Sequence, residues 1–300
     1  MSEAKISALV VTKDRRSFIE RCLYCLCKTT EPGEIIIYIW DNASEDDTAD
    51  YLATLKQWPY IFPMRSKTNI GTEARQRMLP LVHTPYIVTL DDDIWINTPG
   101  WAKGFIDIFE GDPKLGAINF GGWIDERCRM GISWQGVDYN KFDKPMFRFD
   151  TLIDPTLGNL NPPDEKHERN MKRINGHWIL PGNTEIPFTF TGAHALWRTE
   201  LIRDYVWKSH AGLMSDMAGE WKDWIIAKGY YVAVSIEFIC YHATGPWWHI
   251  PDGEKAWRTK SQQSPVIYNR SEKLQWSWYE QAKAWSGWGS GIPDIEDLLE

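Results

Sequence analysis

The sequence has few cysteines, and they do not suit a disulfide or zinc framework. Its 300 residues contain five of them, an odd number that fits poorly with paired disulfides. Three crowd into the stretch RCLYCLCK, as Cys22, Cys25 and Cys27, among the apolar residues of a predicted buried helix face. A structural zinc site would need four well-placed ligands. We therefore predict small core residues in a protein of a reducing compartment.

The sequence also lacks long apolar runs and a surplus of positive charge. No stretch approaches the roughly 18 uninterrupted apolar residues of a membrane span, and no apolar segment follows a basic flank at the start. We expect no transmembrane segment and a soluble, cytoplasmic protein. The formal net charge of -8 gives no strong nucleic-acid signal, because nucleic-acid-binding surfaces are normally basic. A local basic pocket for a phosphorylated small molecule remains compatible with this charge.

Tryptophan, by contrast, is abundant, with 18 residues. Two interpretations stay open. The side chains can fill the core and interfaces, or some can form flat aromatic platforms for sugar rings. Composition alone does not separate these interpretations.

The first 120 residues alternate predicted strands with predicted helices. Five short apolar runs rich in β-branched residues indicate buried strands: ISALVV, EIIIYIW, YIFPMR, PYIVTL and LGAINF. Helical patterns separate them. This alternation predicts an α/β fold with a mostly parallel, Rossmann-like central sheet flanked by helices.

Three parts of the chain differ in pattern. Residues 1–120 form the α/β half, and residues 121–250 form the second half of the same domain. Within that half, residues 121–182 are charged and rich in proline and glycine, which predicts an elaborated insertion or long loops. Strands and helices return after it, including a helix that ends near Gly229. Residues 251–300 form a Trp-rich tail with one predicted helix.

Polar clusters follow three of the predicted strands. TKDR comes after the first strand, DNAS after the second and DDD after the fourth. Ligands of open α/β sheets bind beyond the carboxyl ends of the strands. The sequence therefore predicts one shared site at this edge of the sheet.

The stretch LDDD is the most charged of these clusters. On an extended backbone Asp91 and Asp93 would share a face while Asp92 points away. Two converging carboxylates are tolerable around a divalent cation, and oxygen ligands suit Mg²⁺ or Mn²⁺ together with substrate phosphates. The plain alternative is a solvated acidic turn that caps the next helix.

Two further residues are candidates near the acidic cluster. Asp41 can accept hydrogen bonds from a base or ribose, or can simply form an Asx turn. Arg75 can brace the aspartates or hold a phosphate, or can be an ordinary surface arginine.

In order, these motifs resemble the signatures of family-2-type glycosyltransferases with the GT-A fold. The first half supplies VVTKDR, DNAS with Asp47, an N-x-G-x-x-A-R segment ending at Arg75, and LDDD. The second half supplies a Gly-Ala strand followed by Arg198, then a closing Gly-Tyr strand and a late histidine, His242. The resemblance runs from about Ile6 to His242 with a gap over the insertion. Any one motif is weak, and the ordered series is specific.

The resemblance implies a nucleotide-sugar donor and a divalent cation, Mn²⁺ or Mg²⁺, at a DXD motif. It implies that Asp41 contacts the base and that the backbone around Thr12 lines the nucleotide pocket. Asp91 and Asp92 would lie near the ribose and sugar, and Asp93 on the metal. Together with the side-chain alternation, this gives a predicted metal set of Asp91, Asp93 and His242, the last of which would complete the metal site or touch the diphosphate.

The catalytic base is less directly marked. An inverting transfer needs a carboxylate that deprotonates the acceptor hydroxyl, and the family places it in a Glu-Asp pair that this chain lacks. Asp216, Glu220 and Asp223 share one face of a predicted helix. We predict Glu220 first and Asp216 second, with a solvated acidic face as the alternative.

Gly192, His194 and Trp197 are candidate acceptor contacts, with core packing as the alternative. The acceptor could be a glycan, a lipid-linked saccharide, a protein or a small molecule. The missing pair keeps two other functions open, a retaining glycosyltransferase and a binding module that performs no chemistry. A nucleotidyltransferase is disfavoured because TKDRRS lacks the glycines of its phosphate loop.

Overall fold

The computed structural model describes residues 4–71, 73–96, 98–125, 171–182, 192–205 and 217–242. Asp216, most of the predicted insertion and the whole Trp-rich tail lie outside these residues. Within them, no helix is both long enough and apolar enough to cross a membrane.

Ten strands of the described residues form a single sheet. Their bounds are β1 Ile6–Thr12, β2 Ile35–Asp41, β3 Ile61–Arg65, β4 Tyr86–Asp91, β5 Ile94–Ile96, β6 Leu115–Asp125, β7 Lys172–Ile174, β8 His177–Pro181, β9 His194–Arg198 and β10 Tyr231–His242. The strand order is β3-β2-β1-β4-β9-β6-β10-β8-β7, and β5 pairs separately with β10.

The first four strands in this order are parallel, as predicted. β3, β2, β1 and β4 run in one direction, and β6 and β10 form a further parallel pair. β9 lies antiparallel between β4 and β6. Thr12 pairs with Asp41 and Val11 with Asp91, so β1, β2 and β4 end level with one another. The polar segments that follow them therefore begin at the same edge.

Helices cover both faces of the sheet. They are α1 Arg16–Thr29, α2 Thr48–Thr54, α3 Glu73–Met78, α4 Trp101–Gly111, α5 Thr199–Ile202 and α6 Met217–Ala227. Side chains of β1 alternate between two core clusters. Ile6, Ala8 and Val10 join the cluster that includes α1 and α4, and Leu9 joins the one that includes α3, α5 and α6. The apolar run of β1 is continuous because both of its faces are buried.

The described ends of the predicted insertion are not loops. β6 continues to Asp125, and β7 and β8 form an antiparallel hairpin that joins the sheet through β10. The turn between them is Asn175-Gly176, with φ of 47° and 94°. An Asn-Gly pair with positive φ at both residues is the preferred two-residue hairpin turn. The long-loop alternative therefore does not hold for the strands in residues 121–125 and 171–182, and an elaborated insertion stays a prediction.

Candidate active site

The three aspartates do not alternate as an extended strand would. β4 ends at Asp91, and Asp92 and Asp93 form the turn into β5. The Asp91 side chain is 42% exposed, whereas Asp92 and Asp93 are buried. Asp92 and Asp93 therefore lie in a buried turn, whereas the Asp91 side chain reaches the surface. The period-two rule stops where the strand ends at Asp91, so a shared face of Asp91 and Asp93 stays a prediction.

Arg15 joins the two buried aspartates. Its Nη1 donates to Asp92 Oδ1 at 2.6 Å and to Asp93 Oδ2 at 3.0 Å. Thr12 Oγ1 donates to Asp92 Oδ2 at 2.7 Å. Burial raises the pKa of Asp92 to about 6, although Arg15 and the Thr12 hydroxyl favour the charged form. Sequence reasoning missed Arg15 as a site residue, and its position in the cluster directly after β1 was the available signal.

Arg75 holds the third aspartate. It donates from Nη2 to Asp91 Oδ1 in a short ion pair. The guanidinium side chain is only 4% exposed, because α3 carries it against the core beside Ala74 and Met78. Of the two uses predicted for Arg75, bracing the aspartates is present in the structure. Binding of a phosphate stays a prediction.

Asp41 is fully buried beneath Arg65. Its Oδ1 accepts a hydrogen bond from the Ser44 amide at 2.9 Å, as in an Asx turn. Its Oδ2 lies 3.4 Å from Arg65 Nε, and Arg65 is 42% exposed while Asp41 has no exposed surface. Arg65 Nη2 also donates to the Ser44 carbonyl at 2.7 Å. Burial raises the pKa of Asp41, and the group presented to solvent here is the guanidinium, which the sequence did not predict.

Backbone and side-chain hydrogen bonds join the loops after β1 and β2. The Asn42 amide donates to the Thr12 carbonyl at 2.9 Å, and the Asp14 amide to Ser44 Oγ at 2.9 Å. The Glu45 amide returns a bond to Asp14 Oδ1 at 2.6 Å. Asp14 has φ of 51°, a left-handed conformation that an aspartate tolerates better than most residues.

Asn42 extends this network to a third loop. Its Oδ1 accepts from the Ile70 amide at 3.2 Å, and its Nδ2 donates to the Gly71 carbonyl at 3.0 Å. The loop that precedes α3, and with it Arg75, is therefore fixed to the loop after β2. The structure brings the predicted polar clusters into contact with one another.

The candidate acceptor segment lies directly beside Asp91. The Asp91 amide donates to the Ala193 carbonyl at 3.0 Å, and His194 pairs with Leu90 across β9 and β4. Gly192 and His194 are buried next to this edge.

Trp197 does not fit the role of acceptor contact. It is fully buried, donates from Nε1 to Thr89 Oγ1 at 3.0 Å, and packs edge-on against Trp221 at 5.2 Å. Of the two interpretations left open for Trp197, the structure has core packing, because the side chain is fully buried and lies further along β9 than the edge at Gly192.

Glu220 lies in the first turn of α6, where Tyr205 holds it. Tyr205 donates from its hydroxyl to Glu220 Oε2 at 2.6 Å, and burial together with Glu220 raises the pKa of Tyr205 to about 12. Gln76 Nε2 donates to the Tyr205 carbonyl at 2.9 Å. Tyr205 therefore links Glu220 to Gln76 through two hydrogen bonds. Gln76 is the neighbour in α3 of Arg75, which pairs with Asp91. Asp223 is 76% exposed and faces Lys222.

His242 is the last residue of β10, and its side chain lies outside the described residues. Its backbone pairs with Ile94, the residue that follows Asp93. No cluster of three or more carboxylate, histidine or cysteine side chains in the described part of the chain is arranged to hold a metal ion. Mg²⁺ commonly binds through one or two carboxylates plus substrate phosphates. The half-exposed Asp91 carboxylate, two residues before Asp93 in the chain, is compatible with such a site.

This geometry is accompanied by a family match. Residues 7–154 match the family described as glycosyl transferase family 2. The first half of the chain is therefore similar to family-2 glycosyltransferases, and its sheet has the mostly parallel α/β arrangement of the GT-A fold. The match includes all three aspartates, Arg15 and Arg75. No curated protein matches this chain at a significant level.

Solved structures share the fold at low sequence identity. One is TarS residues 1–349 from S. aureus in complex with UDP-GlcNAc, with 15% identity and a TM-score of 0.51, covering 81% of this chain and 59% of that one. Another is the mannosyltransferase PcManGT from Pyrobaculum calidifontis in complex with GDP-Man and Mn²⁺, with 14% identity and a TM-score of 0.50, covering 88% and 62%. This chain thus spans about 60% of the length of the solved structures it resembles.

Proposed function

We propose that this protein is a glycosyltransferase, which moves a sugar from a nucleoside diphosphate to an acceptor hydroxyl. The main support is the acidic edge of the sheet, where Asp91, Asp92 and Asp93 meet Arg15, Arg75 and the loops after β1 and β2. TarS and PcManGT, which share the fold, are complexed with UDP-GlcNAc and GDP-Man. A nucleotide-sugar donor is the substrate that fits this edge and these relatives.

We assign donor binding to residues 1–120. The backbone around Thr12 and the Asp41–Arg65 pair would face the nucleoside, and Asp91 and Asp92 the ribose and sugar. Arg75 is placed to keep the Asp91 carboxylate oriented. The donor side therefore combines preformed hydrogen bonds with one half-exposed carboxylate, an arrangement that limits the reorganisation needed on binding.

A divalent cation, Mn²⁺ or Mg²⁺, fits the donor set of this site. Asp91, Asp93 and His242 are the residues we propose to hold it, together with oxygens of the diphosphate. When bound, the ion would supply positive charge to the diphosphate leaving group. PcManGT is complexed with Mn²⁺, which supports the same class of ion here.

We propose an inverting transfer with a carboxylate base. Glu220, or Asp216 just before α6, would take the proton of the acceptor hydroxyl while that oxygen forms a bond to the anomeric carbon. The bond from the anomeric carbon to the diphosphate oxygen breaks in the same step, and the nucleoside diphosphate leaves. Tyr205 donates to Oε2 of Glu220 at 2.6 Å, and this hydrogen bond orients the carboxylate that we propose as the base.

Acceptor binding is assigned to residues 121–250, with Gly192 and His194 next to Asp91. A glycan, a lipid-linked saccharide, a protein or a small molecule would each present the required hydroxyl. Cys22, Cys25, Cys27 and Cys240 are buried thiols, which is compatible with a reaction in the reducing cytoplasm.

A donor screen tests this function. Nucleoside diphosphates and nucleotide sugars are added with Mn²⁺, and the melting temperature is measured, because a ligand that binds only the native state raises it. The best donor is then assayed for release of its nucleoside diphosphate. Asp93→Asn should abolish release while the variant melts as a folded protein. Tight donor binding without release by the natural chain would instead identify a binding module, and full turnover in a chelator would contradict the metal.

A further inference from the structure

Arg15 occupies the position of a counter-ion between Asp92 and Asp93. Its Nη1 atom contacts both carboxylates, at 2.6 and 3.0 Å. The three side chains are only 16%, 3% and 5% exposed, and the guanidinium carbon lies 5.6 Å from the centre of the Phe18 ring. Little water reaches these charges, and the guanidinium lies where it can neutralise both carboxylates.

Two adjacent buried carboxylates require a positive partner. Like charges at this range repel strongly where the effective dielectric constant is low, and truncating one partner of a buried ion pair leaves an uncompensated charge. A divalent cation on Asp93 would supply the same compensation as Arg15. The two cations would also repel each other, because both would contact one carboxylate.

We propose that Arg15 is the built-in counter-ion of Asp92 and Asp93, and that the divalent cation takes over this role when the donor binds. The inference rests on the proposed function through Asp93, the proposed metal ligand. Displacing Arg15 disfavours binding of the cation alone. A diphosphate offsets this cost, because its negative charges give the released guanidinium a new partner. Arg15 thereby couples metal binding to donor binding.

The experiment compares Arg15→Met with Arg16→Met in the full chain. Arg16 is a matched control, since it pairs with Glu20 and Asp47 and lies over the Tyr51 ring rather than between Asp92 and Asp93. Mn²⁺ alone is titrated without nucleotide, and free Mn²⁺ is followed by electron paramagnetic resonance. Arg15→Met should bind Mn²⁺ about tenfold or more tightly than the natural chain, because a nearby positive charge has been removed. Arg16→Met should bind as the natural chain does.

Recovery of the melting temperature by Mn²⁺ gives a second readout, because Mn²⁺ would not restore the stability lost with a merely structural arginine. In chelator, Arg15→Met should melt lower than the natural chain, and Mn²⁺ should recover most of the loss. A variant that folds only with Mn²⁺ is the extreme form of the same result. If Arg15→Met folds under neither condition, Arg15→Gln replaces it, because the amide can still donate to Asp92 without carrying charge.

Three outcomes would overturn the inference. Equal Mn²⁺ affinity in Arg15→Met and the natural chain would do so, as would a loss of stability that Mn²⁺ does not recover. In both cases the proposed function survives if the natural chain binds Mn²⁺ with the donor found by the screen. Absence of Mn²⁺ binding to the natural chain even with that donor would overturn both the metal proposal and the role of Arg15.

Discussion

At the scale of single residues, arginines rather than aspartates set the geometry of the acidic edge. Arg15 gathers Asp92 and Asp93, Arg75 holds Asp91, and Arg65 covers Asp41. The aspartates were predictable because three adjacent acids after a buried strand stand out in a sequence. The partners of Asp92 and Asp93 were not, because Arg15 lies 77 and 78 residues away and becomes a neighbour only through the pairing of β1 with β4.

Arg75→Met should reduce kcat/KM for the donor by about a hundredfold, because misplacing a reactive group by about an ångström costs about that much. Loss of the guanidinium frees the half-exposed Asp91 carboxylate to rotate. Initial-rate kinetics measure the effect, and Arg77→Met is the matched control on the same helix, since Arg77 pairs with Glu73 at the surface. A similar loss in both variants would show damage to α3 instead of loss of the brace.

The hydrogen bond from Tyr205 to Glu220 should make folding sensitive to alkaline pH. The pKa of Tyr205 is raised to about 12 in the folded state, above its usual value of about 10. Its contribution to stability is therefore fully present below about pH 10 and is lost as pH rises through about 12. Urea unfolding between these pH values should show a steeper loss for the natural chain than for Tyr205→Phe. Identical slopes would contradict the raised pKa.

At the scale of elements, the pattern of apolar residues predicted the buried strands well and the β7–β8 hairpin at the edge of the sheet poorly. β1, β2 and β4 read directly as continuous apolar runs because both of their faces are covered. β7 carries exposed Lys172 and Arg173 at the edge of the sheet, so no apolar run marks it. The Asn175-Gly176 pair was the remaining signal of this hairpin in the sequence.

The contact between α4 and β10 depends on a glycine. A Cβ atom built on Gly104 would lie 2.0 Å from Cζ of Phe238, and Phe238 itself packs against Phe105 at 5.0 Å. Gly104→Ala should therefore lower the free energy of unfolding by about 2 kcal/mol through overpacking. Denaturant unfolding measures this, and Gly104→Ala with Phe238→Leu should recover part of the loss. If the second substitution recovers no stability, the contact with Phe238 is not the cause of the loss.

At the scale of the whole molecule, the sheet separates the candidate site from the hairpin edge. β9, β6 and β10 lie between β4 and the β7–β8 hairpin. The parallel α/β class was predictable from strand-helix alternation. The antiparallel β9 between β4 and β6 was not, because strand order depends on long-range pairing that local pattern does not encode.

Donor binding should protect one edge of this sheet and leave the other unchanged. With Mn²⁺ and the donor at about 100 times its Kd, amides of the loops after β1 and β2 should exchange up to about a hundredfold more slowly. Amides of the β7–β8 hairpin should exchange at an unaltered rate. Hydrogen-exchange mass spectrometry with peptide-level coverage measures both, and uniform slowing across the sheet would contradict a site confined to the acidic edge.

The position of β9 also bears on how the protein is made. During synthesis β1 to β4 emerge early, yet the edge of β4 finds its partner only when residues 194–198 have left the ribosome. Until then an apolar strand edge stays open, which exposes the nascent chain to aggregation. The strand pairing next to Asp91 therefore forms late in the synthesis and folding of the chain.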